Sequence, residues 1–284
     1  MPLWTPRSRR SYILDNWGTN PSSTPGTSVT PGASDVEGSW TASGLGTVAN
    51  ECQWIQLRVS DGSTATAAKR HVLDIGIDPA GGSSYTAVIS DIVCGASATI
   101  AAGGAPGHSF LIPFRVPASA TVGIRIQGSN ATAGTVRVGM RLSGRPDAPW
   151  MFPVGQYAET IGVTGSSGTS VTPGNAADGS WASLGTTTRE CWWWQLCYQI
   201  DNGTITGEYT YLELAYGDGS NKHVILRRMH GGNTSEGVGT PLDENLSVAA
   251  AYCRVPAGAT LYARGRCNNA PDTGYQCAAL GIGG

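Results

Sequence analysis

The heptapeptide Gly-Thr-Ser-Val-Thr-Pro-Gly stands at residues 26–32 and recurs, letter for letter, at residues 168–174. The likeness continues downstream. Gly38-Ser39-Trp40 returns as Gly179-Ser180-Trp181, a shift of 141. Glu51-Cys52 returns as Glu190-Cys191 and Gln56-Leu57 as Gln195-Leu196, both at a shift of 139. At that same shift Leu73-Asp74-Ile75-Gly76 aligns with Leu212-Glu213-Leu214-Ala215, Arg115–Ala118 with Arg254–Ala257, Thr121 with Thr260 and Arg125 with Arg264. Short tandem motifs do not hold one register over so long a stretch, whereas a duplicated domain does. The period is too long for a solenoid, whose repeats run roughly 20–50 residues, and suits an ordinary domain of roughly 100–150 residues. The division is therefore an N-terminal arm (1–25), a first module (26–144), a linker (145–155) and a second module (156–284).

The linker carries Pro146, Pro149 and Pro153, which discourage helix and favour an extended path, and its Trp150, Met151 and Phe152 are too apolar for a free tether. They are expected to dock on one module or between the two. The arm sets Trp4 between prolines, followed by Arg7, Arg9 and Arg10. Two readings stay open for it: a disordered, solubilising segment, or an arm that reaches onto a neighbouring subunit.

Strand signals dominate both modules. Cys52–Ser60 and Cys191–Ile200 are rich in β-formers and end in Asp61-Gly62 and Asn202-Gly203. Alternation puts Ile55, Leu57 and Val59 on one face with their counterparts Trp194, Leu196 and Tyr198, and puts Trp54, Gln56, Trp193 and Gln195 on the other. Further strands are expected at 71–77, 85–93, 109–116, 121–127 and 134–142, and at 208–216, 222–230, 246–254, 260–266 and 274–281. No long window has helical periodicity. The fold class is all-β: two tandem homologous antiparallel β-sandwiches, jelly-roll-like, with an extended N-terminal arm.

Composition narrows the function. Charged residues are 13% of the chain, about half the usual share, and the formal net charge of −2 gives no footprint for nucleic acid. No run of about 18 apolar residues suggests a membrane helix, and no apolar segment follows the basic N-terminal residues as in a signal peptide. Synthesis in a cytoplasm is expected. Seven cysteines leave at least one unpaired within the chain. Cys267 and Cys277 flank a turn-rich stretch, so a hairpin there would set them opposite one another as a cross-strand disulfide; the alternative is two small buried apolar side chains.

Catalytic patterns are missing from the sequence. His71 has Thr210 at its equivalent position, so no histidine base is duplicated there, and neither G-x-S-x-G nor H-E-x-x-H occurs. Glu190, Glu208, Glu213 and Asp218 are the carboxylates from which a glycosidase pair would have to come, and Asp74, Asp78, Asp218 and Asp243 are oxygen donors without calcium-loop spacing. The expectation is no enzyme, no cofactor and no metal. The outward-facing Trp54 and Trp193 suit either a subunit contact or a platform for sugar rings.

Residues 110–144 carry a further pattern in Ile112, Pro113, Arg115, Val116, Pro117, Ala118, Arg125, Gln127, Val136, Val138, Leu142 and Gly144. This segment resembles a C-terminal segment common in virion proteins of tailed bacteriophages. The second copy keeps Arg254, Val255, Pro256, Ala257, Gly258 and Arg264, and departs from the pattern at the leading Ile-Pro and at Arg266. The resemblance implies a β-sandwich that forms part of a phage virion, as a capsid decoration, neck or collar, or fibre-base component. Its partners would be other virion proteins and copies of itself in a ring or trimer, and its contact residues Trp4, Arg9, Arg10, Trp54, Trp150, Phe152 and Trp193. The alternative is a carbohydrate-binding module for host-surface recognition.

Overall fold

A computed structural model of the chain describes residues 12–16, 26–61, 69–96, 108–129, 135–144, 153–200, 209–231, 250–268 and 275–284. Trp4, Arg9, Arg10, Trp150, Phe152, Glu208 and Asp243 lie outside them.

The first module is built from β1 (Tyr12–Asp15), β2 (Thr27–Val29), β3 (Thr41–Ala42), β4 (Trp54–Asp61), β5 (Lys69–Asp78), β6 (Thr86–Ala96), β7 (His108–Ile112), β8 (Thr121–Gly128) and β9 (Val136–Gly144). One sheet runs β1-β9-β4-β7, with β2 also on β9, and the other runs β3-β8-β5-β6. The second module has β10 (Tyr157–Ile161), β11 (Thr169–Val171), β12 (Gly174–Asn175), β13 (Ala182–Thr186), β14 (Cys191–Ile200), β15 (Tyr209–Gly217), β16 (Lys222–Gly231), β17 (Ala250–Val255), β18 (Thr260–Cys267) and β19 (Tyr275–Gly283). Its sheets repeat the order: β10-β19-β14-β17, with β11 on β19, and β12-β18-β15-β16, with β13 on β18. Apart from the hairpins β5-β6 and β15-β16, consecutive long strands alternate between the two sheets, which is the jelly-roll arrangement. The sequence and the topology agree that the chain is all-β and made of two antiparallel sandwiches.

The repeated heptapeptide has a local cause. Val29 and Val171 are buried core residues on β2 and β11, which pair with β9 and β19 at equivalent places. Gly26, at φ +87°, approaches Val138 so closely that a Cβ would lie 2.5 Å from its carbonyl oxygen. A Cβ on Gly168 would lie 2.6 Å from the carbonyl oxygen of Cys277. Only glycine fits either place, and the valine three residues on plugs the core of each module.

The expected inward faces are inward. Ile55, Leu57 and Val59 are buried in the first core, and Trp194, Leu196 and Tyr198 in the second. The disulfide expected between Cys267 and Cys277 is not formed, and none of the seven cysteines is in a disulfide. Cys267 on β18 pairs with Thr210, whereas Cys277 on β19 pairs with Tyr198, so the two thiols belong to different sheets. β18 and β19 therefore do not pair as a hairpin. The arm is in part a strand, because β1 forms an edge of the first module.

Candidate functional site

The outer face of the sheet β10-β19-β14-β17 is covered along β19 and is exposed at Tyr252 of β17. Every residue of β19 is buried. Tyr275, Cys277 and Ala279 point into the second core, while Ala278, Leu280 and Ile282 pack with the core of the first module. Strands β10, β14 and β19 lie against β6. Polar contacts stitch this seam. Gln199 donates through Nε2 to the carbonyls of His71 (2.5 Å) and Cys94 (2.7 Å), and Thr160 donates through its hydroxyl to the carbonyl of Ser90 (2.6 Å). Gln195 Nε2 donates to the Ser109 carbonyl, and the Ser166 amide to the Asp35 carboxylate. The end of the linker docks here: Gly155 donates to Pro113 O and accepts from the Arg115 amide.

Trp54 and Trp193 meet in this seam, ring centroids 5.7 Å apart and nearly perpendicular at 77°. Their outward placement on the strands is as expected, but what faces each is the other module of the same chain. The sequence did not show that they would meet each other, because alternation along a strand gives a side and not a neighbour. At the seam's rim the β14 register shifts between Cys191 and Trp193. Trp192 packs on Tyr252 of β17 at 5.7 Å, and Tyr252 is 53% exposed.

A second constellation is duplicated on the opposite sheets. In the first module Arg125 on β8 donates through Nε to Asp74 on β5 (2.8 Å), pairs with Glu37, and lies over the Trp40 ring at 4.6 Å. In the second, Arg264 on β18 donates through Nε to Glu213 on β15 (2.6 Å), pairs with Asp178 (2.8 Å), and lies over Trp181 at 4.4 Å. These are the aligned residues of the repeat. The side chains of Asp74 and Glu213 are 5% and 4% exposed, so each depends on its guanidinium for compensation.

The copies differ around this shared core. In the first, the Asp91 amide donates to Asp74 (2.8 Å) from a left-handed residue at φ 61°, and Tyr85 packs beside Trp40 over Gly76 and Gly123. Burial and the carboxylates of Asp74 and Glu37 push the Asp91 carboxyl up, against Arg125. In the second, Arg227 of β16 stands opposite Glu213 and adds a second guanidinium to it. Burial alone would raise the Glu213 carboxyl, but the hydrogen bonds and charges of Arg264 and Arg227 hold it below the ordinary value. Here the face opens into a cavity of about 700 Å³ whose lining includes Asp178, Tyr211, Glu213, Arg227, Arg264 and Arg266. The sequence singled out Glu213 and missed the arginines, although Arg125 and Arg264 were aligned by the repeat.

The other candidate carboxylates have structural partners. Glu190 pairs with Arg254 at 2.8 Å, Asp218 accepts from the amides of Ser220 and Asn221, and Asp78 accepts from those of Ala80 and Ser84. The Cys52 and Cys191 thiols are poor nucleophiles. Cys52 is pushed up to about 11 by burial and the Glu51 carboxylate, and Cys191 to about 12 by burial and Glu159. Among the described residues no group of histidine, cysteine and acidic side chains is arranged to hold a metal ion.

No family model and no curated protein matches the chain. Among solved structures it is similar to PNGF-II, at 9% identity and a TM-score of 0.38, over 97% of this chain and 65% of that one. The chain thus spans about two thirds of the length of PNGF-II. It is also similar to N-glycanase F (PNGase F), and to PNGase F described as a glycosylasparaginase from Flavobacterium meningosepticum, each at 10% identity and a TM-score of 0.37, over 95% of this chain and 94% of that one.

Proposed function

We propose that the chain is a non-catalytic structural component of a phage virion, which works by protein–protein assembly. The observation that carries this reading is the aromatic row that runs out of the seam between the modules: Trp54 on Trp193, then Trp192 on Tyr252, with Tyr252 half exposed. The modules bury the inner part of this row on each other, which leaves the rim as a preformed apolar surface on a rigid body. Rigid aromatic anchors of this kind concentrate binding energy at protein interfaces. The phage-like segment 110–144 supports the same reading, since its Val116 and Phe114 bridges and its strands β8 and β9 belong to the scaffold that holds the seam.

The test uses the full chain and the Tyr252→Ser and Trp192→Ser variants. The wild type is expected to self-associate in sedimentation velocity and to be found in purified particles by mass spectrometry. Both variants are expected to lose association, and Tyr252→Ser, at an exposed side chain, to keep the wild-type melting temperature. A wild-type chain that stays monomeric and is absent from particles overturns the proposal.

A further inference from the structure

We infer that the arginine-lined cavity on the outer face of β15, β16 and β18 is a binding site for a carboxylate-bearing sugar of the uronic-acid type. The inference does not rest on the assembly reading, because the cavity lies on the sheet that the seam does not use.

The site carries more positive charge than its fold needs. Three guanidiniums, of Arg227, Arg264 and Arg266, surround two carboxylates, of Glu213 and Asp178. Glu213 takes Nε of both Arg227 and Arg264, and Asp178 takes a terminal nitrogen of Arg264. Arg227 keeps an exposed edge, its side chain being 61% accessible. Arg266 is exposed and pairs with no carboxylate among the described residues.

The first module supplies an internal control. There one guanidinium, that of Arg125, suffices to hold Asp74 and Glu37 over the same tryptophan. The place of Arg266 is taken by Gln127, and the place opposite Asp74 by the backbone of the Asp91 bulge. The face then carries three carboxylates against one guanidinium, and Tyr85 closes it. On a duplicated scaffold the second module therefore adds two arginines that the first module does without, and leaves open the face that Tyr85 packs over in the first.

The chemistry selects the ligand. A planar guanidinium fork matches a carboxylate with two parallel hydrogen bonds. Tyr211, 41% exposed on the rim, offers an aromatic face to an apolar ring surface. A cavity of about 700 Å³ falls within the usual range for small-ligand pockets, roughly 300–1,000 Å³. An acidic peptide fits less well, because an extended peptide binds sheets through backbone bonds at an unpaired edge, whereas this cavity presents side chains on a sheet face.

Calorimetric titration of the full chain with an oligogalacturonate tests the inference, with the methyl-esterified form of the same oligosaccharide as the uncharged control. Saturable binding is expected, weakened at least about tenfold by esterification and at least about tenfold by Arg266→Gln. Arg266 pairs with no carboxylate among the described residues, so that variant is expected to melt as the wild type does; Tyr211→Ser is expected to weaken binding independently of charge. Inorganic phosphate and oligoglutamate are titrated alongside. Absence of binding, equal binding of the ester, no effect of Arg266→Gln, or equal affinity for phosphate or oligoglutamate each overturns the inference. None of these results bears on self-association through Tyr252, so the two proposals fail separately.

Discussion

Gln199 is the side chain on which the seam turns. Its amide bonds carbonyls from β5 and β6 of the other module and, at 3.3 Å, that of Ser166. Gln199→Leu keeps the bulk but leaves buried carbonyls without a donor, and should cost about 1–3 kcal/mol in urea unfolding. Asp91 should behave in the opposite sense. Its carboxyl titrates above the ordinary 3.8, so the ionised form destabilises the fold at neutral pH and the penalty disappears below the unfolded value. Asp91→Asn keeps a residue that tolerates φ 61°, and is expected to raise the melting temperature at pH 7, with the gain closing as the pH falls. For Glu213 the sign reverses: its contribution is present above the ordinary 4.5 and is lost as the pH falls through its lowered folded value. The stability difference between the wild type and Glu213→Gln should therefore shrink across that acid range, as read by denaturant unfolding at stepped pH. Of these residues the sequence exposed only types and sides. Gln195 was on the outer face by alternation, but nothing local to β14 says that the carbonyls of β5 to β7 lie across from it.

At the scale of elements, the ten or so long strands were legible because each has a run of β-formers bounded by glycine or a polar turn, as in β4, β5 and β18. The short strands β1, β3, β10, β12 and β13 were not, since two to five residues are too few for alternation, and they exist only as partners of β9, β8, β19 and β18. β17 is described from Ala250, and residues 246–249 of the expected strand lie outside the described residues. β19 shows best how packing constrains sequence. It is buried on both faces, and a Cβ on Gly281 would lie 2.6 Å from the Trp194 ring. Trp194 is fully buried and has nowhere to retreat. Gly281→Ala should therefore destabilise by about 1–3 kcal/mol through overpacking, seen as a lower midpoint in urea with an unchanged slope.

For the molecule as a whole, the repeat foretold two like modules, and the matching strand orders bear this out. It did not foretell that they share a core, because a duplication carries no information on how the copies face each other. The cluster that runs from Val29 to Ile282 crosses the boundary. Differential scanning calorimetry of the intact chain should therefore show one cooperative transition, where independent modules would give two. Residues 156–284 alone, with Ala278, Leu280, Ile282 and Trp193 uncovered, should melt lower and aggregate.

The flank of β6 that β10, β14 and β19 cover is made early in the chain, and its cover comes late. During synthesis the first jelly roll can close while its greasy side still waits for a lid encoded more than sixty residues downstream. Any second molecule nearby carries an identical lid. Crowded ribosomes on one message thus favour exchange, each chain donating its later half to its neighbour's earlier half. Reciprocal dimers of this kind would reproduce every contact of the monomer, and dilution during refolding would decide between them.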